Sequence, residues 1–272
     1  MMWPVINFGR SQNETGEKFS EAVPHYSQLL MTYHLSGLIN VDNKYICGGT
    51  LVSHRHVITA AHCVARGGSD QPIANTVTVY LGKQNLRTSV DGVQFRFVSI
   101  IGIMNETSPM EDPFSTMKDF HTNFRLVLTY SEWVRPVCLW PDYDTDLNNI
   151  IGKKGSVVGW GFDDTGKATE ELNLIEMPVV SQETCIRSYS EFFVRFTSDY
   201  TYCAGHRNGT SVCNGDSGGG MVFKMNGIWY LRGLFSLSVV APNEYQCDPT
   251  HYAIFTDLAK FLPWIYATVS DF

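Results

Sequence analysis

Cys213-Asn214-Gly215-Asp216-Ser217-Gly218-Gly219-Gly220 sets one serine in a run of glycines, directly after an aspartate and close behind a cysteine. Far upstream, Thr59-Ala60-Ala61-His62-Cys63 places a histidine on a turn of small residues beside another cysteine. A serine hydroxyl is a poor nucleophile until a base takes its proton. Histidine titrates near neutrality and suits that role. Attack on a carbonyl creates an oxyanion, which backbone N–H groups aimed at it stabilise. Gly215 and Ser217 are the candidate donors. Glycine at 215 opens backbone dihedrals closed to other residues and lets a substrate approach closely. Alone, the run also reads as an ordinary glycine turn. Paired with the His62 segment, it points to a serine hydrolase whose base precedes its nucleophile in the chain.

The 272 residues suffice for one large domain or two small ones, and the 44% hydrophobic content can fill a substantial core. The formal charge is −7, with no long run of one sign. That excludes the basic clustering of a nucleic-acid binder. No apolar run is long enough for a membrane span. The seven cysteines point to an oxidising compartment, although spacing alone does not pair them. The sequons beginning at Asn13, Asn105 and Asn208 are glycosylation candidates and point the same way. Met1 to Asn7 lacks the basic start and apolar length of a signal peptide. The start therefore reads as a leaderless form, a piece of a longer secreted precursor or an imperfect gene model.

Short apolar or alternating segments recur between Gly, Asn, Asp and Pro clusters: Tyr45–Val52, Thr76–Leu81, Val93–Ile101, Ser156–Gly159 and Gly227–Phe235. They predict an all-β sandwich or barrel. One helix is predicted over Asp257–Thr268, with Leu258, Phe261, Leu262 and Ile265 at helical spacing and Asp257 as its cap. There is no internal repeat or low-complexity segment.

Further blocks complete a pattern: Cys47-Gly48-Gly49-Thr50-Leu51, Arg135-Pro136-Val137-Cys138-Leu139 and Val158-Gly159-Trp160-Gly161. With the His62 and Ser217 segments they resemble, in order, the signature blocks of the chymotrypsin/trypsin family, over roughly residues 20–270. The resemblance implies an all-β fold of two antiparallel six-stranded β-barrels with a C-terminal helix and a cleft between them. Residues 1–272 are then a single peptidase domain. The N-terminal barrel half, 20–140, carries His62; the C-terminal half, 141–272, carries Ser217 and the terminal helix. Disulfides Cys47–Cys63, Cys185–Cys203 and Cys213–Cys247 are implied. Cys138 is left over. In relatives made as zymogens the matching cysteine is often bonded to a propeptide or light chain; the other reading is a free buried thiol. A protein substrate, protein inhibitors and a secreted, extracellular setting are also implied. No cofactor or metal is expected. Lys83 stands where calcium-binding relatives supply a ligand, no His/Cys spacing suggests zinc, and a disulfide is the better use of Cys63.

A base histidine needs an acceptor on its other ring nitrogen. In the family this is an aspartate opening an apolar strand before the Pro-Val-Cys-Leu block. Asp119 stands close to the right interval and is the assignment adopted for a triad of His62, Asp119 and Ser217. Polar His121-Thr122-Asn123 follows it, however, and aligning the apolar run Phe124–Leu128 instead puts Asn123 at the aspartate's position. By offset from Ser217, Ser211 falls at the base of the primary specificity pocket, where trypsin-like enzymes carry an aspartate. Ser236, Leu237 and Ser238 resemble the substrate-binding strand, and Ala253 replaces a customary glycine. These residues predict a neutral, narrowed pocket unless Glu244 or Asp248 supplies a charge. In the family, Asp216 pairs with a new amino terminus after cleavage; the nearest candidate here is Val5, preceded by Pro4 and so no trypsin-like cleavage site. The reading is a secreted serine endopeptidase, most similar to proteases of arthropod extracellular cascades. The alternative is a catalytically impaired homologue acting as a binding or regulatory protein.

Overall fold

The computed structural model describes residues 36–65, 77–88, 92–100, 123–124, 128–131, 133–161, 169–240 and 247–270. Strands β1 (Ser36–Val41), β2 (Lys44–Ser53), β3 (His56–Ile58), β4 (Val77–Leu81), β5 (Gln94–Ile100) and β6 (Asn123–Phe124) form one sheet. Its order is β3-β2-β1-β4-β5-β6, antiparallel throughout. The alternation that predicted β4 has its physical cause here: Val77, Val79 and Leu81 are all buried, as period-two residues on one sheet face should be. Asp42 and Asn43 turn β1 into β2 with φ of 49° and 62°. This left-handed pair matches the twist of an antiparallel hairpin and is tolerated by short polar side chains.

A second sheet holds β7 (Cys138–Leu139), β8 (Lys154–Gly159), β9 (Asn173–Val180), β10 (Thr201–Ala204), β11 (Gly220–Met225), β12 (Ile228–Ser238) and β13 (Ala253–Asp257). Its order is β11-β8-β9-β10-β13-β12-β7, and β11 also pairs with β12. That last pairing closes six strands into a barrel and removes their edges. β7 lies outside the closure, parallel to β12 through Tyr230 and Cys138. Asn226-Gly227, with φ of 51° and 84°, makes the β11–β12 hairpin.

The terminal helix differs from its prediction. Leu258–Phe261 is a short three-ten helix, and α3 runs over Leu262–Ser270. A continuous α-helix from Asp257 would place Pro263 where its missing N–H must donate to Ala259, whereas proline suits a helix's first turn. Asp257 caps as predicted, accepting from Ala259 N at 3.2 Å. The apolar stripe joins both cores. Leu258, Phe261 and Ile265 pack with Leu51 and Val57 of the first sheet; Leu262 packs with Phe235 and Phe255 of the second. Each such large side chain contributes about 1.5–3 kcal/mol on burial.

Two helices were not predicted: α1 (Gln182–Ser188) and α2 (Ser190–Phe196). Each fully buries one residue, Cys185 and Phe193 respectively, too few to form a periodic stripe. Ser181 caps α1 by accepting from Thr184 N, and Cys185 is bonded to Cys203 of β10. The other disulfides also pair as expected, Cys47–Cys63 and Cys213–Cys247, while Cys138 is free and exposed rather than buried.

Candidate active site

The two remote segments meet. Gly48 N donates to Ser217 O at 2.9 Å, and Thr59 Oγ1 donates to Gly48 O at 2.6 Å. Cys63 Sγ lies 3.7 Å from the same Ser217 carbonyl; its sulfur is in a disulfide, so this is a packing contact and not a donated hydrogen bond. Gly218, with φ of 80°, is pressed against the turn that carries His62: a Cβ there would stand 2.6 Å from Gly48 O and 2.8 Å from Ala60 N. Only glycine accepts both that dihedral and that approach.

His62 lies in the three-ten turn Ala61–Cys63, and its side chain is exposed. Desolvation nevertheless holds its pKa below the ordinary 6.5. A neutral, exposed imidazole can accept a proton from a nucleophile. The ring, Cys47 Sγ and Cys63 Sγ offer atoms within 4.8 Å of one another. The two sulfurs are joined to each other and have no thiolate to offer a metal.

Around Ser217 the backbone donors divide into two sets. Asp216 N donates to Cys213 O, Gly218 N to Phe235 O and Gly219 N to Asp216 O, each at 2.9 Å. The N–H groups of Gly215 and Ser217 have no acceptor among the described residues. The turn is held from beneath by Asp216, whose carboxylate accepts from Gly161 N at 2.8 Å and Cys213 N at 3.0 Å. Burial pushes that carboxyl up to about 6, opposed by the two hydrogen bonds. Gly159 and Gly161 leave the space Asp216 fills, since a Cβ on either would collide with its carboxyl group. Sequence reading quoted this Gly-Trp-Gly block without its purpose. It missed Tyr45 altogether, whose hydroxyl donates to Gly215 O. Burial first, and the Asp216 carboxylate second, push the Tyr45 phenol well above 10.

The pocket candidates share one region of the second barrel. Ser236 lies at the bulge between Phe235 and Leu237 in the β12–β13 register, where a strand re-aims side chains. Its hydroxyl is buried without a hydrogen-bond partner among the described residues. Ser238 pairs with buried Ala253, Leu237 and Ser238 are half-buried, and Ser211 is half-buried two residues before the Cys213–Cys247 disulfide. Asp248 is engaged in its own loop, accepting from Thr250 N at 2.9 Å and facing His251 Nδ1 at 3.1 Å. Asn208 is exposed. Asp119, Glu244, Asn13, Asn105 and Val5 lie outside the described residues. Asn123 opens β6, its backbone paired with Ile100 of β5.

The fold is a closed six-stranded barrel beside a second six-stranded antiparallel sheet, and the turn carrying Ser217 lies against the segments that flank His62. The family model described as Trypsin matches residues 21–265, and the chain belongs to that family. It is 28% identical to "Serine protease gd" of Drosophila melanogaster, over 88% of this chain and 50% of that protein. It is 29% identical to "Phenoloxidase-activating factor 1" of Holotrichia diomphalia, over 83% of this chain and 62% of that protein. It is also 29% identical to "Proclotting enzyme" of Tachypleus tridentatus, over 80% and 57% respectively. The chain thus spans little more than half the length of these relatives. Among the described residues, no helix is long and apolar enough to cross a membrane.

Proposed function

We propose that the chain is a secreted serine endopeptidase of an extracellular proteolytic cascade. The observation that carries this reading is the pair of N–H groups, Gly215 and Ser217, that find no acceptor among the described residues, beside a serine packed onto the His62 turn. Ser217 Oγ attacks the scissile carbonyl while His62 takes its proton, and the oxyanion settles against the two N–H groups. His62 then protonates the departing amine, and water admitted by the same base releases the acyl group from Ser217. Asp119 is assigned to orient His62. Ser211, Ser236, Leu237, Ser238 and Ala253 form a pocket for uncharged side chains, a reading supported by the engagement of Asp248 within its own loop. The printed names of the relatives, an activating factor and a proclotting enzyme, support a place in a cascade. An exposed Cys138 suits a covalent link to a propeptide or light chain, and an exposed Asn208 suits a glycan. A fluorophosphonate probe should label the wild type and leave Ser217→Ala unlabelled. A peptide library should then be cut after Leu, Ala or Phe in preference to Arg. No labelling, or strict cleavage after Arg, overturns the reading in the corresponding part.

A second reading, a catalytically impaired homologue with a binding or regulatory role, is favoured by the apolar run Phe124–Leu128, whose alignment puts Asn123 at the aspartate's position, and by the pairing of Asn123 with Ile100 of β5. An amide in the aspartate's place selects the wrong imidazole tautomer and lowers the rate about four orders of magnitude in the template triad. With Asp119 in place, Asp119→Asn should reduce kcat by about that factor and Asn123→Asp should change little. A large gain in kcat for Asn123→Asp would give the position to residue 123.

A further inference from the structure

Strand β2 of the first sheet grips the Ser217 turn at two carbonyls. Gly48 N donates to Ser217 O at 2.9 Å, and the Tyr45 hydroxyl donates to Gly215 O. These carbonyls belong to the two residues whose N–H groups find no acceptor among the described residues. One grip is backbone and any residue at 48 could make it; the other needs the Tyr45 side chain. A peptide unit is planar, so Gly215 O and Asp216 N turn together. Asp216 N donates to Cys213 O at 2.9 Å. Tyr45 and the Cys213 carbonyl therefore hold opposite sides of one peptide plane. That plane shares the Gly215 α-carbon with the plane carrying the Gly215 N–H. Gly215 has φ of 95°, and glycine there meets few steric limits of its own. Neighbouring groups must set the direction of its N–H.

The phenol ring is itself held in place. It packs against the buried group of Leu38, Val158, Trp160 and Leu172. It meets Trp160 edge-on, with centroids 6.1 Å apart and planes at 75°. Trp160 follows β8 directly, and its Nε1 donates to Gln84 O at 3.1 Å, so the indole is pinned between the two sheets. On the other side, Tyr45 Cε1 lies 3.5 Å from where a Gly215 Cβ would stand, so ring and turn are packed together. Burial and the Asp216 carboxylate keep the phenol protonated. The hydroxyl therefore remains a donor across the neutral range, where a histidine base works.

We propose that Tyr45 is a positioning residue of the oxyanion site: its hydroxyl fixes the Gly215–Asp216 peptide and, through it, aims the Gly215 N–H at the developing oxyanion. The effect on rate rests on the peptidase reading above; the clamp itself is measured without turnover. Tyr45→Phe removes the hydroxyl and keeps the ring against Trp160. In that variant kcat on a peptide substrate should fall about tenfold with KM unchanged, short of the roughly 10²- to 10³-fold cost of deleting an oxyanion donor. Affinity for a peptide aldehyde should fall by the same factor, because the Ser217 hydroxyl adds across its C=O and leaves the oxygen at the oxyanion position. The control is Tyr202→Phe, which loses a buried hydroxyl that donates to Met221 Sδ. It should lower the urea midpoint and leave kcat as it was. The second measurement is residue-resolved amide hydrogen exchange on Ser217→Ala protein. Adding Tyr45→Phe should speed exchange of the Asp216 N–H about tenfold, as loss of one hydrogen bond does locally, and leave the Gly218 N–H, bonded to Phe235 O, at its former rate. Unchanged exchange at Asp216 overturns the proposal. So does faster exchange with an unchanged kcat, since the plane then moves without the oxyanion donor, and so does a raised KM with kcat intact, which would place Tyr45 in substrate binding. Faster exchange at Asp216 in a protein whose wild type cleaves nothing would support the clamp and reject the peptidase reading alone.

Discussion

Asp216 shows how one side chain serves both the fold and the site. Its carboxylate accepts from Gly161 N and Cys213 N, and so holds the turn that carries Gly215 and Ser217, whose N–H groups find no acceptor among the described residues. Burial raises its pKa from 3.8 to about 6. Between those values the folded chain keeps a proton that the unfolded chain has released. Stability contributed by this group is therefore greatest below pH 4, falls as pH rises to about 6, and stays lower above it. The full change is on the order of 3 kcal/mol. Urea midpoints measured from pH 4 to pH 7 should show this decline, and in Asp216→Asn that part of the slope should vanish. A cation brought against the carboxylate would lower its pKa and weaken this trend.

Among the elements, β12 and the start of the terminal helix are joined by a fully buried ion pair. Arg232 Nε donates to Asp257 Oδ1 at 2.7 Å, and its Nη2 to Oδ2 at 3.0 Å. Nη1 also donates to Asp144 O and Nη2 to Thr145 O, and the cation lies 4.8 Å from the Trp140 ring. The same Asp257 caps the three-ten helix through Ala259 N. A strand, a helix start and the chain leading into the second barrel therefore depend on one pair. Arg232→Ala leaves Asp257 charged and uncompensated in the interior and should cost about 3–5 kcal/mol in urea unfolding. A loss below about 1 kcal/mol would show that water or a neighbouring group replaces the guanidinium.

At the scale of the molecule, the site exists because two sheets far apart in sequence touch at glycines. Gly218 lies against the Thr59 side chain, Gly48 O and Ala60 N with no room for a Cβ, and Gly48 lies against Gly219, where a Cβ would stand at a tight 3.2 Å. Gly218→Ala would force apart the segments carrying His62 and Ser217. Misplacement by about 1 Å costs on the order of 10²-fold in rate, so kcat should fall by that factor while the barrels stay folded. Far-ultraviolet circular dichroism with a peptidase assay separates the two effects; an unchanged kcat would mean the backbone yields at no cost.

The class of fold and the strand segments around β2, β4, β8 and β12 were legible in the chain because they rest on local signals. Period-two burial, glycine turns and short motifs act within a few residues of one another. The register, the inside-out pattern of β5, the helices α1 and α2 and the partners of Asp216 were not legible. Each depends on which distant group arrives: Phe95 is exposed only because Arg96 faces Val79, and Asp216 is held only because Gly161 presents its N–H. Sequence carries propensity and pattern over short range. Burial, desolvation and close approach belong to the assembled molecule, and they decided which backbone donors stay open, which charge is lost from water and which aromatic face remains uncovered.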